Sequence, residues 1–311
     1  MKQLIKAAIV YKAELPAVEH LETHLQENPF TELMSLQLRS VGFTAFDSGL
    51  YTSPFPGGVA FKVRIDEKII PSSAIEREFK RMVAETQRLT GRKPGKKECK
   101  EIKRAALLSL APQAFPRTAE ITVFYEYSTQ YLLVPTTSKK LSDMITSALV
   151  HAVASMKTTT INVSGIKKGL TARMTKWLAN DSEAFGQFNP TGDAALANDK
   201  RRLTVKMAGL MAAKEGLQEA IGKGFEVTSL GFTHIDTGVE FRLTDAFHFK
   251  GIAFVHDGGE SQDDAFTADA AIEVAELSKV VTELCDMMGY QPPEEAEAAP
   301  GDEPAAEDAA E

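Results

Sequence analysis

The chain has 311 residues, 43% hydrophobic and 25% charged, with 35 Lys and Arg against 43 Asp and Glu for a formal charge of −8. That is the composition of a globular protein of one to three domains with a sizeable core. Two distant cysteines, Cys99 and Cys285, argue against a disulfide framework or zinc knuckle and fit a reducing compartment, and no apolar run approaches the ~20 residues that span a bilayer.

Residues 3–11 (QLIKAAIVY) read as a first strand and not a signal peptide, because Lys6 interrupts a short apolar stretch. Residues 16–27 form a short helix with Val18, Leu21 and Leu25 on one face. Alternation of Met34, Leu36 and Leu38 predicts a strand over 33–46, and the Pro and Gly of 52–58 (TSPFPGG) predict a loop before a strand at 59–65. Ser73 and Glu76 have capping-box spacing at the start of an amphipathic helix carrying Ile75, Phe79, Met82, Thr86 and Leu89. The loop 90–95 breaks it, and a second helix follows over 96–110, with Cys99, Ile102, Ala106 and Leu110 inward. A β-hairpin (119–127, 130–135), a helix (138–154), a strand (159–163) and a helix (171–179) come next. After a loop, a strand (202–207) and a helix (211–222) lead into a meander at 225–235, 238–243 and 247–256, and a last helix spans 268–288. Strands and helices mix without βαβ alternation, so the expected class is α+β with mixed antiparallel sheets.

The negative charge is unevenly placed. Residues 291–311 hold eight acids and no base, in an Ala- and Pro-rich segment expected to be disordered; without it the body is neutral. Within that body, 77–104 carries eleven bases and four acids, and 157–176 carries five bases and no acid. Lys200, Arg201, Arg202 and Lys206 form a third cluster, while 257–286 holds nine acids and one Lys. Three basic clusters in a neutral body point to a polyanionic partner, and the acidic tail reads as a solubilising segment or as a competitor for the same basic surface.

Motifs for catalysis are missing. The run from Gly216 to Gly224 is a near miss to a phosphate loop, but it has one residue too many, lacks Ser or Thr after Lys223, and follows a helix where a P-loop must precede one. His20 and His24 are four apart and lack a third ligand. His248, His256, Asp257, Asp263 and Asp264 form the densest His/Asp region, with no recognised metal spacing. Glu98-x-Lys100 and Glu101-x-Lys103 are half of a nuclease motif, placed on a helix where that motif needs a strand edge. No cofactor or metal is expected.

Several segments taken together resemble the RdgC family of bacterial and phage recombination-associated proteins. They are Asp66–Ser72 (DEKIIPS), the basic helices, Ala106–Phe115 (ALLSLAPQAF), Leu170–Leu178 (LTARMTKWL) with Gly186-Gln187-Phe188, and the elements from 202 to Val227. The resemblance covers nearly all of 1–290, and the tail 291–311 lies outside it. It implies a curved, elongated monomer, with lobes at 1–165 and 166–290, that pairs head-to-head and tail-to-tail into a ring-shaped homodimer. The ring encircles double-stranded DNA without sequence preference and restrains RecA, in the cytoplasm at the nucleoid and away from membranes. The family also carries an exonuclease label without a settled active site, so a metal-dependent exonuclease using Asp257, Asp263 and Asp264 is the alternative; a protein-interaction module is a third reading.

The DNA-contacting candidates are Arg92, Lys93, Lys96, Lys97, Lys100, Lys103, Arg104, Lys167, Lys168, Arg173, Lys176, Lys200, Arg201, Arg202 and Lys206. By position, Phe115 matches the apolar residue closing one family dimer contact, with Gln113 where members can carry Arg. Lys206-Met207 stands where members can carry consecutive basic residues at the other end of the ring.

Overall fold

A computed structural model describes residues 3–153, 158–160, 166–181, 183–199, 201–205, 214–255 and 265–290. Its strands are β1 (Ala7–Ala13), β2 (Arg39–Thr44), β3 (Thr52–Phe55), β4 (Gly58–Lys68), β5 (Pro116–Glu126), β6 (Tyr131–Val134), β7 (Thr158–Thr160), β8 (Phe188–Ala197), β9 (Arg202–Val205), β10 (Glu226–His234), β11 (Glu240–Thr244) and β12 (His248–Ala253). Its helices are α1 (Val18–Gln26), α2 (Ser72–Thr90), α3 (Lys96–Leu110), α4 (Lys139–Val153), α5 (Ile166–Leu178), α6 (Lys214–Gly222) and α7 (Ala265–Met288).

The strands join in one sheet, ordered β2-β4-β5-β6-β1-β12-β11-β10-β8-β9, with β3 on β4 and β7 on β1. All pairings between these strands are antiparallel. The α+β expectation therefore holds, with one continuous sheet in place of several.

Period-two alternation divides the core. Ile9, Tyr11, Val59, Phe61, Val63, Val123 and Tyr125 point to one face, where Leu21 and Leu25 of α1 and Ile145 and Leu149 of α4 cover them. Ala8, Val10, Ala60 and Phe124 point to the other, continuous with Phe232, Phe241 and Phe249 and covered by α5, α6 and α7. Strands β8 and β10–β12 contribute to the second core only. Their opposite face carries polar and charged side chains.

β1 is the joint between the halves, pairing with β6 on one side and β12 on the other. The wholly buried Glu273 of α7 reinforces it, accepting the backbone N–H groups of Leu4 (3.0 Å) and Ile5 (2.7 Å).

Several expectations shift. Residues 33–38 are not strand, and Met34 and Leu36 are exposed. The 52–58 loop is instead a tight hairpin: Pro54 is tolerated because β3 pairs only with β4, and Gly57 turns the chain at φ +89°. The Ser73–Glu76 capping box does not form; α2 starts earlier, at Ser72, with the Ala74 and Ile75 N–H groups donating to the Pro71 carbonyl. Helix α5 starts five residues before the expected 171, and β8 occupies part of an expected loop.

Candidate nucleic-acid interface

Helices α2 and α3 form a hairpin whose half-buried apolar residues (Ile75, Phe79, Met82, Ile102) pack between them, with Ala106 fully buried. Neither helix supplies a residue to either core of the sheet. The turn is set by Gly91 at φ +71°, and α3 starts where the Glu98 carboxylate accepts the Gly95 N–H at 2.8 Å.

Lys93, Lys96, Lys97, Lys100, Lys103 and Arg104 are all exposed on this hairpin, and none makes an ion pair among the described residues. Arg92 differs. Its guanidinium donates to both oxygens of Glu98, at 2.9 and 2.7 Å. Arg92 foremost, and then the Gly95 N–H, hold the Glu98 carboxyl down at about 2. Glu98 is thereby committed to Arg92 and to the start of its own helix, and Glu101 is exposed on α3.

The α5 candidates separate in the same way. Ile166, Leu170, Met174 and Leu178 are buried, so the stripe Lys168–Ala172–Lys176, two residues or about 200° further round, faces outward. Lys167 pairs with Asp245 at 3.3 Å. Arg173 is half-buried and donates to the carbonyls of Ala184 (2.8 Å) and Met287, tying α5 to the end of α7. Arg201 and Arg202 are exposed at β9, the last strand of the sheet path. Lys200 and Lys206 lie outside the described residues.

The structure adds cations that sequence reasoning missed. On the coreless face of the meander, Arg242 of β11 stands opposite Lys250 of β12. His248, two residues along β12, has its pKa lowered by burial first and then by Lys250 and Lys139. The signal was present as alternation in Phe241-Arg242-Leu243 and His248-Phe249-Lys250, which sends the cation and the ring to opposite faces. No charge cluster marks these residues.

Phe115 is 88% exposed, just past the 3₁₀ turn Ala111–Gln113, and Gln113 is exposed beside it. The Phe115 carbonyl accepts the N–H of Ile69, itself exposed, at 3.1 Å. Exposed Met34 and Leu36 lie at the same end of β4, where Lys68 donates to the Met34 and Ser35 carbonyls. Four exposed apolar side chains, Met34, Leu36, Ile69 and Phe115, thus lie towards one end of β4.

Among the described residues, no three His, Cys, Asp or Glu side chains converge to hold a metal, and no helix is long and apolar enough to cross a membrane. His256, Asp257, Asp263 and Asp264 lie outside the described residues.

The architecture is thus α+β, with a basic helical hairpin that joins neither core and further cations on the sheet. A family described as "Putative exonuclease, RdgC" matches residues 4–291, and the chain belongs to that family. The "Recombination-associated protein RdgC" of Herminiimonas arsenicoxydans is 25% identical over 292 residues, covering 90% of this chain and 96% of the relative. The proteins of that name from Bordetella pertussis (25% identical, 82% of this chain and 87% of the relative) and Cupriavidus necator (25%, 88% and 93%) are similar over comparable lengths.

Proposed function

We propose that this protein binds double-stranded DNA without sequence preference, as a homodimer that closes into a ring around the duplex and restrains RecA in recombination. The observation that carries the reading is the α2–α3 hairpin. Six exposed cations (Lys93, Lys96, Lys97, Lys100, Lys103, Arg104) stand on a projection that serves neither core and have no acid paired with them among the described residues. Each Lys or Arg that neutralises a phosphate releases a counterion, so affinity falls steeply with salt and ignores base sequence. The curated relatives' designation as recombination-associated supports the setting. The exposed Phe115 patch supports self-association. Lys168, Lys176, Arg201, Arg202, Arg242 and Lys250 extend the cationic surface.

The test is fluorescence anisotropy with duplexes of unrelated sequence across a salt series. Substituting Lys93, Lys96, Lys97 and Lys100 by Gln lowers affinity for every duplex and flattens log K against log salt by about 0.9 for each phosphate no longer neutralised. Salt-insensitive or sharply sequence-dependent binding overturns the reading. Incubation of linear duplex with Mg²⁺ or Mn²⁺ leaves it intact; degradation abolished by D257N, D263N and D264N establishes the exonuclease instead.

A further inference from the structure

We infer that the outward stripe of α5, Lys168–Ala172–Lys176, is the docking surface for the chain's own acidic segment 291–311, which competes there with DNA. The inference starts from where the described chain ends. Helix α7 stops at Met288, Gly289 follows at φ +68°, and the Tyr290 N–H returns to the Cys285 carbonyl at 2.8 Å. This terminus sits on α5. Met288 packs against Gly169, where a Cβ would come within 2.8 Å of its Cε, and Arg173 donates to the Met287 carbonyl. The described chain therefore ends beside the helix whose cations are in question.

Charge then selects the surface. Segment 291–311 holds eight acids and no base, and α5 holds four bases and no acid. Lys167 is engaged by Asp245 and Arg173 by carbonyls, which leaves Lys168 and Lys176 exposed with no ion pair among the described residues. The hollow lined by Arg173 and Met287 carries Glu183, Glu283 and Asp286, and Lys279 is taken by Asp236. That hollow repels an acidic segment.

Length also fits. Twenty-one residues as a coil reach about 25 Å, and thirteen helical residues extend about 20 Å. A tether this short holds its acids at millimolar effective concentration. Two exposed pairs at about 0.2–1 kcal/mol each correspond to roughly 2- to 30-fold in competition, screened away by salt.

The experiment uses the full-length chain. Zero-length carbodiimide coupling at low salt, read by peptide mass spectrometry, joins carboxylates of 294–311 to Lys168 and Lys176; added duplex DNA or high salt suppresses the coupling. Replacing the eight acids by Gln and Asn raises DNA affinity at least twofold at low salt in the parent, and leaves it unchanged in a K168Q/K176Q background. Coupling to the hairpin lysines in place of α5, or an equal gain in both backgrounds, overturns the inference. The competition with DNA rests on the function proposed above, whereas the docking does not. Coupling to α5 in a protein that binds no DNA therefore overturns that function and leaves the docked segment standing.

Discussion

Arg242 and Lys250 are direct cross-strand neighbours on β11 and β12, two cations side by side on the face of the meander that adds no residue to either core. Like charges placed directly opposite each other destabilise a sheet. A bound polyanion would offset that cost. Lys250→Gln therefore raises thermal stability slightly and lowers DNA affinity, with a shallower salt dependence. Paired melting and anisotropy measurements check the opposite signs; a decrease in both would make the pair structural.

The hairpin tip is partly neutralised by its own sequence. Glu98 caps α3 and holds Arg92, so removing it frees a guanidinium without removing a cation. Glu98→Gln should increase duplex affinity about two- to fivefold at low salt, in line with one exposed pair, while Arg92→Gln costs less than Lys97→Gln. With the Glu98 carboxyl at about 2 against an ordinary 4.5, the pair's contribution is complete above pH 4.5 and fades as pH falls towards 2. Titrating affinity between pH 6 and 8 should show no step from this group.

Phe115 can be tested apart from the fold. Its side chain lies in solvent, so Phe115→Ala should alter the stability of the single chain by no more than about 0.5 kcal/mol. Self-association should weaken by about 2 kcal/mol, roughly 30-fold, if the aromatic ring anchors a dimer contact. Sedimentation velocity over a concentration series reads the second quantity, and thermal melting at low concentration the first.

His248 gives a pH dependence of stability. Burial, helped by Lys250 and Lys139, lowers its pKa in the folded chain. Between the unfolded pKa near 6.5 and the lower folded value, the unfolded chain binds the extra proton. Stability consequently falls as pH drops through that window and is unaffected by this group above it. Denaturant midpoints at pH 5.5 and 7.5 should differ less in His248→Gln than in the parent.

The sequence was most legible where one local signal acted alone. Helix α3 has the limits its apolar period and flanking Pro-Gly indicated, and the hairpin's cations are exposed as their density implied. β8 was hidden because Asn189, Pro190, Gly192 and Asp193 are turn formers; its pairing with β10 and β9 overrides them, with register breaks opposite. The exposed alternation of Met34 and Leu36 misled in the other direction, since the side chains serve a surface and not a sheet. Density of charge could not separate Arg92 and Arg173, which have carboxylate or carbonyl partners, from Lys97 and Lys168. That distinction depends on partners distant in space or set by a turn.

The place of β1 in the sheet has a kinetic consequence. A strand made from residues 7–13 cannot complete its hydrogen bonds until residues 248–250 exist, and Glu273 must arrive to hold Leu4 and Ile5. Pairings this distant along the chain form slowly. During synthesis the half of the sheet built from β1 to β6 waits with one edge open until β12 and α7 have left the ribosome to pair with β1 and fasten Leu4 and Ile5.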